Sequence, residues 1–299
     1  MKAPMRTLIC GSMAYDNIMV FHGRFKDHIL PEQIHILNVA FLVPQLRREF
    51  GGCAGNIAYS LKLLGGTPLP MATVGSDGRD YIGRMKQLGI STEFVREVPD
   101  SYTAQAMIMT DVDNNQITAF HPGAMMQAHV TQVPARGDIK LGMISPDGRD
   151  AMLQHAQQFK AAGIPFVFDP GQGLPMFEGR ELAQFVGAAT WVTVNDYEGK
   201  MLCERTGWGL ADMSRRVEGL VVTLGAEGCE VWVRGEKTHV PGVAAAEVVD
   251  PTGCGDAWRG ALLYGLEQGW DLAKCAALGN RVGAVKIASR GPQNWAWNG

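Results

Sequence analysis

Short runs of consecutive apolar residues alternate with longer stretches of helical period along most of the chain. Thr7-Leu8-Ile9-Cys10-Gly11 is an apolar run closed by glycine and predicts a buried strand. From Gly55 to Leu64 the residues Ile57, Ala58, Leu61 and Leu64 recur at helical spacing, and Gly65-Gly66 ends the pattern. Met71-Ala72-Thr73-Val74 predicts a strand, followed by a helix from about Asp77 to Leu88 with Tyr81, Ile82, Met85 and Leu88 on one face. Strand runs recur at Leu141–Ile144, Pro165–Phe168, Trp191–Val194 and Leu220–Leu224, with helices expected at Arg149–Ala162, Arg180–Val186 and Asp196–Arg205. Two further helices, Ala257–Gln268 and Asp271–Ala288, close the chain. This alternation predicts an α/β protein whose mainly parallel sheet is covered on both faces.

Two stretches break the alternation. Ile18–Phe50 is mixed, and its run Ile34–Val39 is too short for a sheet-crossing unit. Phe94–Phe120 holds two β-prone runs, Thr103–Thr110 and Gln116–Phe120, joined by Asp113-Asn114-Asn115, which reads as a hairpin. The two stretches are expected either to pair into a small projecting β-sheet lid or to extend the main sheet with antiparallel strands. A lid would hold water away from a reacting group. The expected division is a large unit of residues 1–17, 51–92 and 122–299, with a lid of residues 18–50 and 93–121. Val39, Phe41 and Val43 allow an apolar lid face, which fits a monomer or a homodimer with clasped lids.

Composition narrows the class. The 299 residues are 46% apolar and 19% charged, which suits a packed core rather than a disordered chain. With 27 Lys plus Arg against 30 Asp plus Glu there is no basic excess for a phosphate backbone, so no nucleic acid is expected as partner. Cys10, Cys53, Cys203, Cys229, Cys254 and Cys275 show no metal-ligand spacing and are expected to be reduced. No apolar run reaches the ~20 residues of a membrane helix, and Met1–Arg6 lead into a strand without a signal-peptide core. A cytoplasmic protein with small-molecule partners is expected.

The segment Val249-Asp250-Pro251-Thr252-Gly253-Cys254-Gly255-Asp256-Ala257 runs from a strand-like end through two glycines into a helix. Glycine lets the backbone turn sharply and approach a ligand closely. The N–H groups of Gly253, Cys254 and Gly255, with the positive end of the helix dipole, suit an anion. An Asp placed there would repel a phosphate, and makes sense if it takes a proton from an attacking hydroxyl. On spacing alone, Asp256 is equally an N-cap. There is no GxxxxGK[ST], no GxGxxG after the first strand, no HExxH and no GxSxG.

These residues resemble the ribokinase-like (PfkB) family of carbohydrate and nucleoside kinases. Its motif D-T-x-G-A-G-D is similar to Asp250-Pro251-Thr252-Gly253-Cys254-Gly255-Asp256, and its Gly-Gly-then-Asn motif to Gly51-Gly52-Cys53-Ala54-Gly55-Asn56, with Gly65 and Gly75 following. Asn195-Asp196-Tyr197-Glu198 resembles N-x-x-E, and Thr223-Leu224-Gly225-Ala226-Glu227-Gly228 resembles the nucleotide loop T-x-G-x-x-G. The resemblance implies a three-layer α/β/α fold with a β lid, and ATP as phosphoryl donor. It implies Asp256 as base, Gly253, Cys254 and Gly255 as anion hole, and Asp16, Gly52 and Asn56 as holders of sugar hydroxyls. Asn195 and Glu198 would organise Mg²⁺ through water, while Thr223, Gly225, Gly228 and Asn280 would line the ATP site. Asp250, Thr252, Ser289 and Gly291 are candidates for a K⁺ site. The chain departs from the family at Pro251, Cys254 and Ala257-Trp258; the thiol of Cys254 is expected to make the loop sensitive to oxidation or alkylation.

The long insertion and the hairpin ending Ala119-Phe120-His121 look like the adenosine and nucleoside kinase branch. The expected reaction is ATP-dependent phosphorylation of a purine nucleoside 5′-hydroxyl, Phe120 stacking on the base and Gln172 meeting its edge. Asp256 is expected to keep an ordinary pKa near 4. A sugar kinase for ribose or a ketose is the alternative. Arg24, Arg47 and Arg48 leave a phosphorylated sugar open, and a non-catalytic nucleoside or sugar sensor is the reading from another class.

Overall fold

The computed structural model describes residues 6–29, 38–113 and 115–299. Its elements begin β1 (Arg6–Cys10), β2 (Ala14–Val20), β3 (Gln45–Gly51), α1 (Cys53–Leu63), β4 (Pro68–Gly75), α2 (Arg79–Gln87), β5 (Phe94–Val98), β6 (Ala104–Thr110), β7 (Gln116–His121) and β8 (Ile139–Ile144). They continue with α3 (Arg149–Ala162), β9 (Phe166–Phe168), α4 (Gly179–Ala188), β10 (Trp191–Asn195), α5 (Asp196–Thr206), α6 (Leu210–Ser214), β11 (Gly219–Thr223), β12 (Gly228–Val233), β13 (Glu236–Pro241), α7 (Cys254–Glu267) and α8 (Leu272–Lys286).

Nine strands form one sheet in the order β13-β12-β11-β10-β9-β8-β1-β4-β5. It is parallel from β5 to β11 and antiparallel at β12 and β13. The chain winds outward from β1 through β4 and β5, then returns to β8 and winds the other way. The point of reversal, between β1 and β8, opens a crevice at the carboxyl ends of the strands, the usual ligand position in such sheets.

Alternate strand residues feed two cores. Ile9, Ala72, Val74, Leu141, Met143, Val167 and Val221 pack with α1, α2, α7 and α8 through Ile57, Leu61, Tyr81, Met85, Trp258, Leu262 and Cys275. Leu8, Cys10, Met71, Phe168, Val192, Val194 and Val222 pack with α3, α4, α5 and α6 through Met152, Phe159, Phe185, Leu202 and Met213. Every residue of β4 is buried, which is why it reads as an unbroken apolar run.

Four further strands form a separate sheet, β3-β2-β6-β7, so the lid is its own layer rather than an extension of the main sheet. Its extent differs from the expected 18–50 and 93–121. β2 begins at Ala14, which brings Asp16 into the lid. Phe94–Val98, expected in the lid, pairs in parallel with β4, because Phe94 and Val95 pack against the two large cores. The expected run Ile34–Val39 lies outside the described residues up to 37, as do Met1–Met5 and Asn114 in the hairpin turn. In that turn Asp111 accepts the N–H groups of Asp113 and Asn115 and, across the sheet, that of Phe25. Phe41, expected on a free apolar face, instead packs against Phe21, Phe25 and His28.

Residues opposite one another in a sheet share a face. The row Glu49–Asp16–Ala106–Phe120 crosses the lid and places Phe120 on the Asp16 face, two strands away.

No helix among the described residues is long and apolar enough to cross a membrane. Phe159 is fully buried, stacked on Phe166 at 5.3 Å, and fills the space where Gly142 lacks a side chain. Phe159→Ala is expected to lower the unfolding free energy by about 3–5 kcal/mol in chemical denaturation.

Candidate active site

The site grows from two helix starts at the carboxyl edge of the large sheet. Gly52 precedes α1 with φ 82°, and a Cβ there would lie 2.6 Å from the Ala14 nitrogen. Ser12, just past β1, caps this helix from outside: its hydroxyl accepts the Cys53 N–H at 3.1 Å. Gly253 precedes α7 with φ 77°, packed so closely on Pro292 that a Cβ would lie 2.5 Å from the Pro292 Cβ. The two helices pack side by side, Gly260 lying against Ser60.

Asn56, on the first turn of α1, donates its amide to Asp256 at 2.8 Å. Gln293 from the C-terminal segment donates to the Asn56 oxygen at 3.0 Å and to the Tyr81 hydroxyl at 2.7 Å, which sets which way the Asn56 amide faces. Asn56, expected on sugar hydroxyls, therefore uses both ends of its amide within the protein. Asp256 is half-buried. Burial raises its pKa to about 6 despite the Asn56 hydrogen bond and the charge of Arg259, which correct the expected value near 4. A carboxyl of that pKa is still roughly nine-tenths ionised at pH 7.

The N–H groups of Gly253, Gly255 and Asp256 have no hydrogen-bond partner among the described residues, whereas that of Cys254 is bonded to the Pro251 carbonyl at 3.1 Å. The anion-binding set is thus shifted from the expected Gly253-Cys254-Gly255. The Cys254 thiol points at the Asp250 carbonyl, 3.9 Å away, and burial raises its pKa. A protonated thiol is a poor nucleophile, which argues against the expected ready alkylation. Cys53, given no role in the sequence beyond being reduced, sits against Asp256 with its pKa likewise raised by burial.

Arg259, one turn beyond Asp256, is the cation of this cluster. It forks onto buried Asp169, at the carboxyl end of β9, through Nε and through Nη2 at 2.8 Å; Nη1 donates to the Gly255 carbonyl at 3.2 Å, and Glu198 lies 3.8 Å from Nη2. Burial opposes the charge of Arg259, but Asp169, Glu198 and Asp256 hold its pKa up. Sequence reasoning missed this pair. The available signal was the i, i+3 spacing of Asp256 and Arg259, which puts both on one helix face.

Asn195 and Glu198 form a capping box at the start of α5, with mutual bonds of 2.7 and 2.8 Å. Only Glu198 Oε2 is engaged there, and burial raises the pKa of the group. Thr223 pairs in register with Asn195 and opens the turn carrying Gly225 and Gly228. Asn280, expected near the adenine, accepts from the indole N–H of Trp258 at 3.0 Å and donates to the carbonyls of Val240 and Pro241. Its amide ties β13 to two helices, which argues against a nucleotide contact.

On the lid, Asp16 has no hydrogen-bond partner among the described residues, and its carboxylate lies over Gly51. Burial, then the charges of Glu49 and Asp250, raise its pKa to about 6. Phe120 and Gln172 are exposed. Arg24 is paired with Asp113 at 3.1 Å, and Arg47 lies 2.9 Å from Glu49 though off the N–H direction. Arg48 stacks on Tyr15 at 3.7 Å and reaches Asp77 at 3.4 Å. Arg24 and Arg48 are engaged by the protein, and Arg47 lies among the acidic groups Glu49 and Asp250, which disfavours an acceptor phosphate.

The expected K⁺ ligands are placed together but do not fit a metal ion. The Asp250 carboxylate accepts the N–H groups of Thr252 and Gly291, both at 2.9 Å. The ammonium of Lys286 donates to the Asp250 carbonyl at 2.7 Å and to the Ser289 carbonyl at 3.3 Å. A second cation on those carbonyls would sit ~4 Å from Nζ, a repulsion of about 4 kcal/mol at an effective dielectric of 20. Burial lowers the Lys286 pKa, while Cys254, Asp250 and Asp256 act in the opposite sense. Burial also works against the Asp250 carboxylate, but the N–H donors of Gly291 and Thr252 outweigh it and hold its pKa low.

One carboxylate beside the free N–H groups of a helix start is an arrangement that suits phosphoryl transfer. The family model described as "pfkB family carbohydrate kinase" matches residues 13–298, and the chain belongs to that family. It is a phosphotransferase acting on an alcohol group. Among curated relatives, a nucleoside kinase of Methanocaldococcus jannaschii is 30% identical over 260 residues, 86% of this chain and 85% of the relative. The structure of a Burkholderia thailandensis nucleoside kinase in complex with inosine is 54% identical, with a TM-score of 0.88, covering 97% of this chain and 93% of that one. The structure of the Methanocaldococcus jannaschii nucleoside kinase gives a TM-score of 0.89 at 27% identity, covering 97% and 94%.

Arg259→Met leaves the Asp169 carboxylate buried without its partner. It is expected to lower the unfolding free energy by about 3–5 kcal/mol, with much of the loss recovered when Asp169→Leu is added, both read by chemical denaturation.

Proposed function

We propose that the chain transfers the γ-phosphate of ATP to the 5′-hydroxyl of a purine nucleoside. The observation that carries this reading is the carboxylate of Asp256 beside the unbonded N–H groups at the start of α7. Likeness to the Burkholderia thailandensis kinase solved with inosine supports the acceptor class.

Asp256 accepts the proton of the attacking hydroxyl. A weak base suffices, because the transition state is loose and catalysis is mostly positioning and charge stabilisation. The N–H groups of Gly253, Gly255 and Asp256, with the helix dipole behind them, receive the charge of the transferring phosphoryl group. Asp16 accepts hydrogen bonds from two vicinal hydroxyls of the sugar, which suits an ionised carboxylate with two oxygens. Phe120, on the same lid face about 10 Å away by strand spacing, stacks on the base. Gln172 stands at the base edge, and Thr223, Gly225 and Gly228 border the nucleotide.

Among the described residues no cluster of three or more potential ligands would hold a metal by itself. The set fits Mg²⁺ arriving with the triphosphate, since Mg²⁺ keeps several waters and needs one or two carboxylates. Glu198, through its unengaged Oε1, and Asn195 would hold those waters, and the ion would neutralise phosphate charge. A lid closing over the acceptor keeps water from the γ-phosphate.

A coupled ADP-release assay over inosine, adenosine, guanosine, cytidine, ribose and fructose tests the assignment. Purine nucleosides are expected to give the highest kcat/KM, and a higher value for ribose or fructose would overturn the acceptor class. Asp256→Asn is expected to lower kcat by at least ~10²-fold while nucleoside binding in calorimetry largely survives. Near-normal turnover in that variant would remove Asp256 as the base. In the wild type, kcat/KM is expected to fall as pH drops through about 6, because protonated Asp256 accepts no proton and protonated Asp16 loses an acceptor site.

A further inference from the structure

Lys286 is fully buried in the last turn of α8, an unusual place for an ammonium group. Its Nζ reaches past the helix end to the backbone carbonyls of Asp250 and Ser289. Those carbonyls belong to the two strands of chain that flank the anion-binding turn: 249–252 leads into Gly253, and 289–291 leads to Pro292, on which Gly253 packs. The same two segments are joined from the other direction by the Asp250 carboxylate, which accepts N–H groups from each. The main chain adds a third tie, since the N–H groups of Val249 and Asp250 both donate to the Ile287 carbonyl. One acidic and one basic side chain therefore stitch the base of the turn together, each satisfied by backbone atoms of opposite polarity.

Backbone carbonyls converging on one point are what a hard monovalent cation binds, and an ammonium is a compact cation that meets the same oxygens through N–H bonds. We infer that the side chain of Lys286 serves as a built-in monovalent cation beneath the loop Asp250–Asp256, so that this enzyme does not need K⁺. The tether changes the consequences. A free ion must be drawn from solution and is lost when its concentration falls, whereas the Lys286 charge is present in every folded molecule. It also closes the site to competing ions through the repulsion described above.

The test begins with the wild-type protein and needs no variant. ADP release is measured in choline chloride, KCl and NaCl at equal ionic strength, with the acceptor that performs best in the panel, and melting temperature is measured in the same three salts without substrates. The rates are expected to agree within about threefold, a difference of little free-energy weight, and the melting temperature is expected to be the same in K⁺ and choline. Stimulation by K⁺ beyond that factor, or a K⁺-specific rise in melting temperature, overturns the proposal.

Lys286→Ala then supplies the complementary reading. In choline it is expected to lose at least ~10-fold in kcat, with K⁺ or methylammonium restoring most of the loss and raising the melting temperature of the variant. A folded variant that keeps full activity in choline, or that no cation restores, overturns the proposal. If Lys286→Ala does not fold, Lys286→Met and the wild-type salt comparison decide the question. The melting readout needs neither ATP nor a nucleoside, so an error in the acceptor class would show in the panel and leave the ion result standing.

Discussion

The geometry of the site depends on one close approach, that of Gly253 to Pro292. A left-handed residue ends the loop there, and α7 begins directly after it. The first turn of α7 then presents free N–H groups and Asp256 together. Pro292 can stand so near because the segment before it is tied back to Asp250 and Lys286, and the segment after it sends Gln293 into the Asn56–Tyr81 pair. The C-terminal segment is thus the wall against which the anion-binding turn is cast, although it carries none of the groups proposed to touch substrate.

The parts of the fold that were legible in the sequence are those buried on both sides. β4, β8, β10 and β11 announce themselves as apolar runs because helices cover both faces. β2 and β3 do not, because the lid is half exposed and its strands carry Asp16, Arg47, Arg48 and Glu49 among apolar residues. For the same reason the pattern of residues puts the lid boundary at residue 18, while β2 starts at Ala14. The helix start at Gly253–Asp256 was legible because glycine spacing and an acidic residue at a helix N-terminus are local features. Asp169, Arg259, Asn280 and Lys286 were not, since each has its meaning through a partner far away in sequence. A lysine in the last turn of a helix reads as an exposed partner of the dipole; only the chain crossing over it at 249–252 makes it a buried cation.

In the proposed function, the charge balance of the site leaves much of the phosphate chemistry to neutral groups. Asp16, Glu49, Asp169, Glu198, Asp250 and Asp256 crowd the crevice, and Arg259 and Lys286 are both already committed to protein partners. Neither cation is free to reach a triphosphate directly. Under the proposed function, charge on the incoming nucleotide is left to backbone N–H groups, to the helix dipole and to an ion that would arrive with it. Fixed dipoles suit this role, because they need no reorganisation as charge moves during transfer.

The same crowding makes the acceptor part of the electrostatics. Asp16 is held near pKa 6 by burial and by its acidic neighbours, with no donor of its own in the protein. Hydroxyl groups donating to that carboxylate favour its ionised form, so a bound diol lowers the Asp16 pKa. An acceptor without a vicinal diol leaves this carboxylate in its raised state, where a proton from solvent competes for it as pH falls. If Asp16 holds the acceptor as proposed, binding of a diol and retention of charge at Asp16 are two descriptions of one equilibrium. Discrimination between acceptors with and without a vicinal diol should accordingly narrow toward acid pH, where the unbound carboxylate is most often protonated and a diol must displace that proton to be held.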